Sequence, residues 1–102
     1  MHIDVFLNFI KTEKRLSSHT VKSYSSDLKQ FSNYLSKECN INSDINQVTF
    51  QTIRSWIVFL LENNINPRSV NRKISVLKSY YKFLLQEGIL SYNPMIKIIS
   101  PK

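Results

Sequence analysis

Two stretches of this chain place their apolar residues at alternating intervals of three and four, and that spacing constrains the fold more than any other feature. The first stripe is Val21, Tyr24, Leu28, Phe31 and Leu35; the second is Val70, Ile74, Leu77, Tyr81 and Leu84. Side chains at such intervals share one face of an α-helix, whereas a strand would throw successive members to opposite faces. Each stripe has start and stop signals. Ser17 is placed to cap the earlier helix, with Leu16 before it positioned to pack on Val21. Asn66-Pro67 opens the later one, with proline at the first helical position, where its missing N–H costs nothing. Gly88 follows the last stripe residue at the position that favours a left-handed backbone, with Ile89 able to reach back to Leu84.

Two further segments have weaker helical patterns. One runs from about Ile3 to Lys14, with Ile3, Phe6, Leu7 and Ile10 on one face. The other begins at Thr49 as N-cap, presents Ile53, Trp56, Ile57, Leu60 and Leu61, and stops in Asn63-Asn64. Residues 40–47 read as a polar loop, and a short helical piece is expected through Asn93-Pro94 to Ile99. With one glycine in 102 residues the chain lacks the turn glycines that a hairpin-rich protein needs. The expectation is an all-α, compact four-helix orthogonal bundle in one domain, with a short C-terminal helical piece.

The charge is lopsided. The whole chain carries +7. Residues 1–63 hold seven basic residues against six acidic ones, while residues 64–102 hold seven basic residues against Glu87 alone. Five of the latter, Arg68, Arg72, Lys73, Lys78 and Lys82, lie on the fourth helix. Arg68, Arg72, Ser75, Ser79 and Lys82 recur at intervals of four and three and so share one outward face, with Lys78 and Asn71 beside it. Long cations separated by small hydroxyls suit phosphates and base edges, and a helix of this size can enter a major groove. A second face, His19, Lys22, Ser23 and Ser26, clusters near the start of the second helix, where free amides and the helix dipole favour anions. The plainer reading of the fourth-helix face is a solvated polar surface, and for Ser17 and Thr20 it is capping.

Several chemistries lack their residues. One glycine cannot build a phosphate-cradling loop, so no nucleotide cofactor is expected. No Ser/His/Asp or Cys/His set has a supporting motif, and the acids read as scattered over polar faces, so no catalytic residue is assigned. His2 and His19 have no ligand cluster around them, so no metal is expected. Cys39 is a lone cysteine, read as a half-buried thiol in a reducing compartment. No apolar run is long enough to span a membrane, and Met1-His2-Ile3-Asp4 lacks the basic and apolar regions of a secretory signal. The expected location is the cytoplasm.

Residues 16–31, Leu-Ser-Ser-His-Thr-Val-Lys-Ser-Tyr-Ser-Ser-Asp-Leu-Lys-Gln-Phe, resemble the L-S-x-x-T-x-x-x-Y-x-x-D-L-x-x-F stretch of tyrosine recombinases and phage integrases. Residues 68–84, Arg-Ser-Val-Asn-Arg-Lys-Ile-Ser-Val-Leu-Lys-Ser-Tyr-Tyr-Lys-Phe-Leu, resemble the fourth-helix stretch of the same N-terminal domain, with its R-x-(I/L)-S-x-(I/L)-(R/K)-x-(F/Y)-(Y/F)-x-(F/Y)-L pattern, and Asn93-Pro94 with Pro101-Lys102 resembles the run into its interdomain linker. Xer-type recombinases are the nearest subgroup. The resemblance implies a SAM-like core-binding domain over residues 1–99, with residues 100–102 starting the linker. It implies a domain that clamps double-stranded DNA and is not catalytic by itself, because the family's catalytic set belongs to its C-terminal domain. The implied partners are that catalytic domain of the same parent chain and other recombinase subunits on DNA. The DNA-contacting residues carried over are His19, Thr20, Lys22, Ser23, Arg72, Ser75, Lys78, Ser79 and Lys82, to which the charge pattern adds Arg68. Lys78 stands where the family often has Arg, replacing a planar fork with a point charge. The competing reading is a helical interaction module whose basic face meets an acidic protein or a neighbouring recombinase subunit. A free-standing helix-turn-helix regulator fits less well, since no short glycine-containing turn joins two helices.

Overall fold

The computed structural model describes residues 2–42 and 44–101. Four α-helices follow one another: α1 (Ile3–Thr12), α2 (Ser18–Cys39), α3 (Phe50–Glu62) and α4 (Pro67–Gln86). α1 packs on α2, α4 packs on both α2 and α3, and α2 also meets α3. The radius of gyration is 13.1 Å, the size expected of a close-packed chain of this length.

The helix starts follow the sequence closely. Ser17 Oγ accepts the Thr20 amide at 3.2 Å, and Asn66 Oδ1 accepts the Ser69 amide at 2.9 Å. Thr49 forms a reciprocal capping box with Thr52, which gives and takes one backbone bond each. Two helix ends share one solution. Gly88, at φ 71°, donates to Leu85 O at 3.1 Å while Ile89 donates to Leu84 O at 3.0 Å. Asn64, at φ 65°, does the same at the end of α3, with Asn64 donating to Leu61 O and Ile65 to Leu60 O, both at 3.1 Å. Both are Schellman endings, built on the two residue types that tolerate a left-handed backbone.

The core is aromatic and joins the helices at two nodes. Phe6 of α1 stacks on Tyr24 of α2 at 6.1 Å and meets Tyr80 and Phe83 of α4, each at 5.4 Å. Phe31 of α2 packs on Trp56 of α3 at 5.0 Å. All of these except Tyr24 are buried. Truncating a buried aromatic to alanine typically costs about 3–5 kcal/mol, so each node is a large fraction of the stability of a domain this size. Tyr80, which lies beside the apolar stripe of α4, is buried as fully as Tyr81 on it. Burial pushes both phenols well above their ordinary range.

Three segments differ from the sequence reading. α1 ends at Thr12, two residues before the expected Lys14, because the chain turns through Arg15 at φ 52° into the cap of α2. The expected polar loop at 40–47 is partly core: Ile41 and Ile45 are buried, and Ile45–Gln47 form a 3-10 turn capped by Asp44. Ser43 of that loop lies outside the described residues. The expected C-terminal helical piece is a run of turns over 94–97. Asn93 caps the Met95 amide, but Pro94 has no N–H and only single-turn bonds follow, so no helix nucleates. The tail nevertheless packs. Leu90, Met95 and Ile98 are buried; Tyr92 Oη donates to Val48 O at 2.5 Å and Asn71 Nδ2 donates to Pro101 O at 2.9 Å.

The Schellman ending of α4 gives a direct test. Gly88→Ala meets open space but keeps the strained left-handed φ. It should lower stability by about 1 kcal/mol, and so Tm by roughly 4–8 °C, while Asn64→Gly at the equivalent turn leaves Tm unchanged or higher. Thermal unfolding followed by circular dichroism reads both; an unchanged Tm for Gly88→Ala would contradict the assignment of that turn.

Candidate nucleic-acid interface

The outward face of α4 is built as its spacing implies. Arg68, Arg72, Ser75, Lys78 and Lys82 are exposed, and Ser79 is half-buried. On α2, His19, Lys22 and Ser23 are exposed, along with Ser26. Thr20 is half-buried, and its hydroxyl lies 2.9 Å from Ser17 Oγ, so it is engaged in the cap. The α4 face is tied to α2 by Arg72, which bonds Asp27, one turn after Ser23. A shallow groove lined by Lys14, Leu16 and Tyr24 on one side and Ser79, Lys82 and Phe83 on the other runs along the meeting of α1 and α2 with α4. Of the ten predicted residues, eight are exposed and two, Thr20 and Ser79, are half-buried, with the Thr20 hydroxyl engaged at its own helix start.

The charge on that surface is not what a count of residues suggests. Asp27, expected on a solvated polar face, is only 2% exposed and sits in the contact between α2 and α4. Its carboxylate accepts three hydrogen bonds from α4. Arg72 Nε reaches Oδ2 at 3.3 Å, Arg72 Nη2 reaches Oδ1 at 3.0 Å, and Lys73 Nζ reaches Oδ1 at 2.7 Å. Lys73 also donates to Gln30 Oε1 at 2.6 Å. Two of the five α4 cations, Arg72 and Lys73, therefore have an acidic partner, supplied by another helix. Lys73, with its side chain 6% exposed, is removed from the surface, whereas Arg72 keeps 56% of its side chain in solvent.

Burying a carboxylate is unfavourable unless it is paired and its lone pairs are occupied. Three donors on two oxygens meet that condition. The spacing carried a signal for this cluster. Asp27 lies three residues after Tyr24 and four before Phe31, and Lys73 lies three after Val70 and four before Leu77, so both fall on inward stripes. Two opposite charges on facing inward stripes are candidates for one another.

Among the described residues, no group of three or more His, Cys, Asp or Glu side chains converges to hold a metal, and no helix is long and apolar enough to cross a membrane. Cys39 is a free, half-buried cysteine.

The asymmetry of the Asp27 cluster predicts unequal stability effects. Lys73→Ala strands a buried carboxylate with a half-exposed arginine and should destabilise the chain by about 3 kcal/mol or more. Arg72→Ala leaves Lys73 on Asp27 and removes a partly exposed pair, so it should cost about 1 kcal/mol or less. Urea unfolding of the two variants measures both; equal losses would contradict the division of roles.

Residues 3–88 match the family described as phage integrase, N-terminal SAM-like domain. Tyrosine recombinase XerD of Rickettsia bellii is 43% identical over 100 residues, which covers 98% of this chain and 32% of the relative. Tyrosine recombinase XerC of Oceanobacillus iheyensis is 39% identical over 102 residues, covering 100% of this chain and 33% of the relative. XerC of Staphylococcus aureus is 37% identical over 101 residues. The chain thus spans about a third of the length of the curated relatives it matches. No solved structure matches it. The four-helix fold, the paired motifs on α2 and α4 and the match over most of the chain place this protein in the phage integrase N-terminal SAM-like domain family.

Proposed function

We propose that the chain binds duplex DNA as the N-terminal domain of a site-specific tyrosine recombinase, holding one side of the duplex and taking no part itself in strand cleavage. The single observation that carries this reading is the outward face of α4, where Arg68, Arg72, Lys78 and Lys82 are exposed on one side of one helix with Ser75 and Ser79 between them. His19, Lys22 and Ser23 extend the same surface along the first turns of α2. Thr20 contributes by fixing the start of α2 through Ser17. Cations at this density displace counterions from the phosphate backbone, which supplies most sequence-independent affinity. The relatives' names, tyrosine recombinases XerC and XerD, support recombination as the parent activity. Residues 1–99 then form the DNA-binding unit and residues 100–102 begin the linker to a catalytic domain, although Lys102 lies outside the described residues. The work is cytoplasmic, where the DNA is.

A contact with protein is a second reading, supported by a different surface. Ile96 is 76% and Ile99 87% exposed, and the tail around Ile99 borders Val58 of α3, itself 47% exposed. This apolar edge suits the catalytic domain or a neighbouring subunit better than the basic face does. The basic face remains for DNA, and an acidic protein bound there would be displaced by duplex.

Binding of the chain to duplex DNA across a salt series tests the proposal. Roughly three to five phosphate contacts should give a log–log slope between about −2.5 and −4.5. No binding at low salt, or binding without salt dependence, would overturn it.

A further inference from the structure

We infer that Asp27 is a positioning residue for DNA contact: it holds the guanidinium of Arg72 in one orientation on the α4 face, and Lys73 serves that arrangement from inside and does not touch DNA. The inference rests on the DNA-binding reading above and refines which cations do the binding.

Arg72 differs from its neighbours. Among the described residues, Arg68, Lys78 and Lys82 make no ion pair and are free tethers on the surface. Arg72 is fixed through two of its five N–H donors, with Nε and Nη2 on Asp27. Because the guanidinium is planar and rigid, fixing Nε and Nη2 also fixes the remaining three donors: one on Nη2 and one on Nη1 form the terminal edge, and the second on Nη1 lies on the side away from the carboxylate. These donors belong to a side chain 56% exposed, on the helix that also exposes Ser75 and Lys82. A flexible cation gives up rotamer freedom when it settles on a phosphate; a held arginine has already lost it.

A carboxylate beside an arginine would ordinarily cancel its charge. Here Lys73 supplies a second cation to the same carboxylate oxygen, with a side chain only 6% exposed. One negative and two positive groups leave a net positive charge, and the exposed member is Arg72. Gln30 completes the cluster by accepting from Lys73. The cluster fixes the orientation of Arg72 without neutralising the surface.

The test is the double variant Asp27→Asn with Lys73→Met, which removes both buried charges together and leaves the net charge of the chain unchanged. Replacing a buried ion pair by neutral groups generally preserves folding, which circular dichroism would confirm. The probe is a mixed-sequence DNA duplex of about 30 base pairs at low salt. The double variant should bind about five- to tenfold more weakly than the wild type, despite equal net charge. Arg72→Ala should cost about the same factor in the wild type and less than about twofold in the double variant, because the contact is already lost. Wild-type affinity in the double variant, with Arg72→Ala costing the same in both backgrounds, would overturn the inference while leaving DNA binding intact. Absence of binding by the wild-type chain would overturn both. Should the double variant not fold, Arg72→Lys takes its place, since it keeps the charge but not the fork. It should bind more weakly than wild type although the net charge is equal, and affinity equal to wild type would overturn the inference.

Discussion

The carboxylate of Asp27 is the junction at which the interior of this protein meets its proposed working surface. It belongs to α2, is closed off from solvent, and, among the described residues, accepts three hydrogen bonds, all from α4. A buried charge tolerates little displacement, because any shift of α2 against α4 would break bonds that water cannot replace. The aromatic nodes supply the bulk of the attraction, but aromatic contacts are comparatively forgiving of small slides. The ionic cluster defines which residue of α4 faces which residue of α2. It therefore sets how His19, Lys22 and Ser23 stand relative to Arg72 and Ser75.

This division of labour explains how a basic helix can also be a core helix. α4 buries nine residues, Lys73 among them, and still presents four cations outward. Its inward face meets α1 through Phe6, and its neighbour Lys73 meets α2 through Asp27 and Gln30. The outward face has few obligations to the fold, so its residues are free to serve a ligand. Arg72 is the exception, standing at the boundary and bonded on one side only. The tail reinforces the same arrangement from the other end: Asn71, next to Arg72, donates to Pro101 O and fixes the last described residues against the start of α4.

Much of this was legible in the residues, and the failures have physical causes. The helices, their caps and the left-handed ending at Gly88 follow from local rules, because Ser17, Thr49, Asn66 and Gly88 act on their own neighbours. The outward α4 face followed from spacing for the same reason. Asp27 departs from the expected polar face because its stripe position points inward while its charge suggests solvent; only the partner helix, which brings Lys73 and Arg72 to it, decides that conflict. The burial of Ile41 and Ile45 was hidden by the Asn and Asp residues around them, which satisfy a short turn without leaving the surface. The tail departs from the expected short helix because its structure comes from long-range anchors such as Tyr92 on Val48, which no local pattern announces.

On the proposed reading, DNA sits on the α2–α4 surface ordered by Asp27. The most direct measurement is the backbone amide spectrum of the isotopically labelled chain, followed by nuclear magnetic resonance as duplex DNA is added. The account predicts shifts concentrated at residues 18–26 of α2 and along 68–82 of α4, with α3 and residues 96–99 of the tail little changed. Shifts centred on α3 and the Ile96–Ile99 edge, with the α4 face unmoved, would contradict it.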